Sequence, residues 1–142
     1  MNVESKSLSK KPEIEQHFNL LLNLTQKAVN NIIEFDPKIN KIILFGSLAR
    51  YIKYQSGGFS IFSDADIAVF PSIPLIMARK YYRYRDNLRN FLQSKGVGVV
   101  PQHYYHDPEK QLDIIVISDY QPFRHFDKAL SDGLCLFDNF HK

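Results

Sequence analysis

Apolar residues recur at helical spacing in two long stretches of the chain and as short unbroken runs elsewhere. From Ile14, the residues Phe18, Leu21, Leu22, Ala28, Val29, Ile32 and Ile33 follow steps of three and four, which predicts an amphipathic helix to about Phe35. Pro12, with Glu13 and Glu15 behind it, is placed to open that helix, and Asp36-Pro37 to end it. KIILF (41–45) is too short for a helix and reads as a strand buried on both faces, closed by Gly46. Ser47 stands where an N-cap belongs, and LARYIKY makes a short helix that stops at Gly57-Gly58. DIAVF (66–70) is a second strand. Met77, Tyr81, Tyr84, Leu88 and Phe91 form the apolar stripe of a helix running to Lys95-Gly96. Short strands are then predicted at 97–100, at 112–117 and, as an edge, at LCLF (134–137), with a polar loop at 101–110 and a helix at 123–130 closed by Gly133.

Helices alternating with short strands predict an α/β sandwich around one mixed sheet, with residues 1–12 as a flexible tail and 13–142 as the single domain. With 44% hydrophobic and 23% charged residues, the composition excludes the signature of disorder. No run of about 18 apolar residues exists to span a membrane. Cys135 is the single cysteine and cannot form an internal disulfide, so the compartment is read as cytoplasmic. A net charge of +3 permits an anionic ligand but does not predict nucleic acid.

The chemistry lies in the aspartates. Asp64 and Asp66 are two apart at the head of one strand and so project together, and Asp113 sits inside another apolar strand. If those strands are neighbours, three carboxylates converge and repel unless one is protonated or a cation lies between them; oxygen donors suit Mg²⁺ or Mn²⁺. Gly46-Ser47, at a strand-to-helix junction, offers free backbone N–H groups and a helix dipole to an anion. Phosphate and metal together point to nucleotide chemistry.

FGSLAR, then SDADIAVF, then LDIIVIS resembles, in that order, the minimal nucleotidyltransferases of the DNA polymerase beta-like superfamily, whose hallmark is a hydrophobic residue, Gly-Ser, a helix, Asp-x-Asp and a third Asp on a later strand. The resemblance implies a nucleotidyltransferase fold. It implies that Gly46 and Ser47 hold the terminal phosphates of ATP or another triphosphate, and that Arg50 contacts a phosphate. Asp64 and Asp66 would bridge two Mg²⁺ ions, with Asp113 completing the second site and helping to deprotonate an acceptor hydroxyl. The chain departs from the pattern at Leu48, where a basic residue is frequent, at Tyr51, where glycine is usual, and in the longer stretch to Asp64, whose Gly57-Gly58 is expected to form a flap.

Small stand-alone members of this kind resemble antitoxins that add AMP to a tyrosine of an all-helical HEPN (higher eukaryotes and prokaryotes nucleotide-binding) ribonuclease toxin, and the acceptor is expected to be such a partner protein. A small-molecule adenylyltransferase of the aminoglycoside type, and a non-catalytic subunit that inhibits by binding, are the alternatives. Arg79, Lys80, Arg83, Arg85 and Arg89 read as a solvated helix face, with Tyr81 and Tyr84 at core spacing, and as a surface on which a partner can dock. His103 and His106 fit no metal template and read as surface residues, and Cys135 as a packed residue.

Overall fold

The structure, a computed structural model, describes residues 3–55, 58–97, 111–120 and 131–139, with backbone alone over 3–11. Helix α1 spans Val3–Phe35, β1 Lys41–Phe45, α2 Gly46–Tyr54, β2 Ala65–Phe70, α3 Ala78–Ser94, β3 Leu112–Val116 and β4 Leu134–Asp138. The four strands form one mixed sheet in the order β3-β2-β1-β4. β1 is antiparallel to both β2 and β4, and β2 is parallel to β3. The mixed α/β sandwich is as expected, with LCLF in the edge strand.

Alternation decides which face is covered. Ile42 and Leu44 of β1, Ile67 and Val69 of β2, and Leu112, Ile114 and Val116 of β3 are all buried. They pack with Leu21, Ala28 and Ile32 of α1, Leu48 and Ala49 of α2, and Leu88 and Leu92 of α3 into one core. The intervening Ile43, Asp66, Asp113 and Ile115 are only half-buried. KIILF is therefore not buried on both faces; helices cover one side of the sheet, and the aspartates project from the other.

Several boundaries differ from expectation. α1 begins at Val3, so Pro12 lies inside the helix rather than opening it, and the segment expected as a tail begins as helix. Proline there removes one i→i−4 hydrogen bond. α2 begins at Gly46 with Phe45 as its N-cap residue and no side-chain cap, so Ser47 is a helical residue and not the N-cap. The helix ends three residues before Gly57, because Gln55 adopts the left-handed conformation (φ 57°) and its N–H closes on the Tyr51 carbonyl. On α3 the buried stripe is Tyr81, Tyr84, Leu88 and Leu92, while Met77 precedes the helix and is exposed. Val97 is buried but outside any strand; the rest of the strand expected at 97–100, the loop with His103 and His106, and the helix expected at 123–130 lie outside the described residues. Cys135 is exposed on the edge strand, not packed. Among the described residues, no helix is long and apolar enough to cross a membrane.

Candidate active site

Three segments meet at one end of the sheet. β1 ends at Phe45, whose register partner on β2 is Asp66, and Asp66 is in turn the register partner of Asp113 on the parallel β3. Neighbouring strands lie about 4.8 Å apart, so the carboxylates of Asp66 and Asp113 leave the same face side by side. Asp64 lies two residues before Asp66, just ahead of the strand, and interacts electrostatically with both of the others. The convergence anticipated from spacing thus has a specific cause, the parallel pairing of β2 with β3.

Gly46 is the residue that lets the helix start here. Its φ of +78° is a conformation that L side chains rarely adopt, and a Cβ at this position would collide with Asp66 Oδ2. The backbone at the N-terminus of α2 therefore runs directly against the Asp66 carboxylate. Gly46 and Ser47 lie in this first turn, Arg50 follows one turn on, and the Arg50 charge acts on Asp66. The helix start, whose first N–H groups have no partner within the helix, thus lies against a carboxylate edge, a combination suited to an anion accompanied by a cation.

The electrostatics agree with that reading. Asp66 is pushed up to about 7, first by burial and then by the negative charges of Asp113 and Asp64, with Arg50 opposing. Asp113 is also raised, chiefly by burial, against the pull of Arg89 and of the Ile114 N–H, with Asp64 adding to the rise. Ionising all three carboxylates is costly without a counter-charge. The donors are all oxygen, partly buried and mutually repelling, which fits a hard divalent cation. As the side chains stand, however, no three acidic, His or Cys groups among the described residues close around a common point. The three carboxylates share one sheet end without forming a finished coordination sphere.

Arg89 is the site residue that sequence reasoning missed. Its place among the basic residues of α3 predicts a solvated face, yet it is half-buried and sets its charge against Asp113. Its Nε is buried with no hydrogen-bond partner among the described residues. The spacing carries the signal: Arg89 lies three residues before the core residue Leu92, which puts it beside the buried stripe.

The two departures on α2 have structural explanations. Leu48 is wholly buried in the core, so a charge there would be unpaired. Tyr51 stacks on Phe59 with ring centroids 4.7 Å apart and meets Phe18 edge-on at 5.1 Å. Phe59 also contacts Phe18 and His17, and His17 Nε2 donates to the Ser63 carbonyl at 2.7 Å. This aromatic cluster fastens the α2–β2 connection immediately before Asp64. The long connection is thus anchored at 59–63, with Ile61 and Phe62 exposed at its turn.

No protein-family model and no curated protein matches the chain. Among solved structures, it is similar to one from Sulfolobus solfataricus described as a candidate nucleotidyltransferase. The two share 16% sequence identity, with a TM-score of 0.56 over 90% of this chain and 89% of that one. At that identity the likeness is one of fold. The mixed four-stranded sheet, with helices packed on one face, is accordingly a nucleotidyltransferase fold.

Proposed function

We propose that this chain is a nucleotidyltransferase that moves a nucleoside monophosphate, AMP in the leading reading, from a triphosphate to a hydroxyl acceptor. The observation carrying it is the meeting of Gly46 with Asp66, beside Asp113 in register on the next strand. An anion-receiving helix start and a repelling carboxylate set then share one space, which is what a nucleoside triphosphate with its counter-ions requires.

Asp64, Asp66 and Asp113 would hold Mg²⁺ or Mn²⁺, which when bound neutralises phosphate charge and acidifies a hydroxyl. The chain's own residues do the rest. The N–H groups of the Gly46-Ser47 turn receive the terminal phosphates, and Arg50 adds positive charge beside them. Asp113, in register beside Asp66, takes the proton of the acceptor hydroxyl. The acceptor oxygen bonds to the α-phosphorus as the bond to pyrophosphate breaks, and pyrophosphate leaves along the first turn of α2.

The finer reading rests on the resemblance of the motifs: the acceptor is a tyrosine of a helical HEPN-type toxin, and the chain is its antitoxin. Against a non-catalytic subunit stand the three retained aspartates, and Leu48 and Tyr51 each have a packing role. The test is transfer from α-labelled ATP with Mg²⁺ to a co-expressed helical partner. Labelled partner with the unaltered chain and none with Asp66→Asn supports the proposal; equal labelling by both would refute it.

A further inference from the structure

The connection from β2 to α3 exposes three large aliphatic side chains within five residues: Ile73 at 54%, Ile76 at 61% and Met77 at 56%. Scattered exposed apolar residues are ordinary, but a contiguous ridge is not. A groove of about 500 Å³ opens on one side of this ridge against Asn40, Phe70 and Ser118. Another of about 510 Å³ opens on the other side against Phe35, Tyr84 and Asn87. Both are walled by Ile73, Pro74 and Leu75.

The ridge is held in place. Ser72 N–H donates to Asp36 Oδ2 at 3.0 Å, Asn40 Nδ2 to the Pro71 carbonyl at 2.9 Å, and Tyr120 N–H to the Leu75 carbonyl at 3.1 Å. Its apolar side chains are therefore presented by a fixed backbone, which lowers the ordering cost of binding. Beside it, Arg79, Lys80 and Arg83 of α3 are exposed, and none of them makes an ion pair among the described residues. Lys80 and Arg83 line the second groove themselves.

We propose that the Ile73–Met77 ridge and the start of α3 form a docking surface for a partner protein's amphipathic helix that presents aliphatic side chains flanked by carboxylates. Charge complementarity sets the sign of the flanks, and the aliphatic ridge sets the class. A nucleic acid would exploit flat rings for stacking, but the ridge has none, and the exposed ring nearby, Tyr82, already has the Arg85 guanidinium over it at 4.7 Å. The surface lies at the end of β2 away from the aspartates, so the inference does not depend on nucleotidyl transfer; a chain without activity would carry it equally.

The test uses the full chain and three fluorescent probes: a helical peptide with a leucine stripe flanked by glutamates, the same peptide with lysines in place of the glutamates, and a single-stranded RNA. The unaltered chain should bind the glutamate peptide saturably and more weakly as salt rises. The double variant Lys80→Glu/Arg83→Glu should lose about tenfold or more of that affinity and turn to the lysine peptide. Both changed side chains are exposed, and circular dichroism of the variant together with the salt dependence of the unaltered chain guards against a folding artefact. Ile76→Ser should weaken both peptides. The inference is overturned by absence of saturable peptide binding, by equal affinity of the double variant for the glutamate peptide, or by RNA binding more tightly through Lys80 and Arg83.

Discussion

Asp66 couples the site to pH. Its carboxyl, at about 7 in the folded chain against an ordinary 3.8, holds a proton that the unfolded chain has released. Between about pH 4 and 7 the folded state therefore binds more protons, and stability falls as pH rises through that window. In chelator-treated buffer, Asp66→Asn removes the Asp66 share of this slope and leaves that of Asp113, which is also raised. The variant should be more stable than the unaltered chain above pH 7, by on the order of a few kcal/mol, and the gap should close toward pH 4. Thermal melts at stepped pH read this directly, and parallel profiles would contradict it. Arg89 acts on Asp113 in the opposite sense, since its charge opposes the rise. Arg89→Leu should raise Asp113 further, cut the transfer rate roughly tenfold at pH 6, and move the pH–rate profile upward, with Arg89→Lys restoring most of it. A rate loss without a shift of the profile would leave Arg89 a merely structural role.

At the scale of elements, the buried Asp36 is the main polar joint. It follows α1 directly, accepts the Ser72 N–H of the β2–α3 connection at 3.0 Å, and accepts Tyr84 Oη of α3 at 2.8 Å. Burial, then the bond to Asp36, hold the Tyr84 hydroxyl protonated above its ordinary range. Tyr84→Phe should cost about 1–2 kcal/mol by leaving a buried carboxylate one donor short, and Asp36→Asn less than Asp36→Ala, both read by denaturant unfolding. A neutral Tyr84→Phe would mean that water satisfies Asp36. Much at this scale was legible beforehand: KIILF, closed by Gly46, DIAVF, closed by Pro71, and LDIIV, followed by the polar Ser118-Asp119, are strands because short β-branched runs so bounded have few other solutions. The start of α1 was not legible, because proline ordinarily marks a first turn and here sits inside the helix. Nor was the cap of α2, because Gly46 takes a left-handed φ and moves the helix start one residue ahead of Ser47.

For the molecule as a whole, the order of motifs along the chain predicts that the aspartates and the Gly-Ser junction come together, as they do at one end of the sheet, but not how. Their meeting depends on β2 standing antiparallel to β1 and parallel to β3, a pairing between segments 47 residues apart at Asp66 and Asp113, and local patterns carry no record of such long-range pairing. The same holds for Arg89, whose charge reaches Asp113 only because α3 and β3 pack into one core. Topology also separates the two surfaces: the aspartates stand at one end of β2, where the nucleotide site is proposed, and the aliphatic ridge follows its other end, where the docking surface is proposed. The central claim, that Gly46, Ser47 and the three aspartates form one triphosphate and metal site, is tested most directly by calorimetric titration of ATP into the full chain with and without Mg²⁺. The account predicts saturable binding that requires Mg²⁺ and is lost in Asp66→Asn with the fold intact by circular dichroism. ATP binding of equal strength without Mg²⁺, or in the variant, would contradict it.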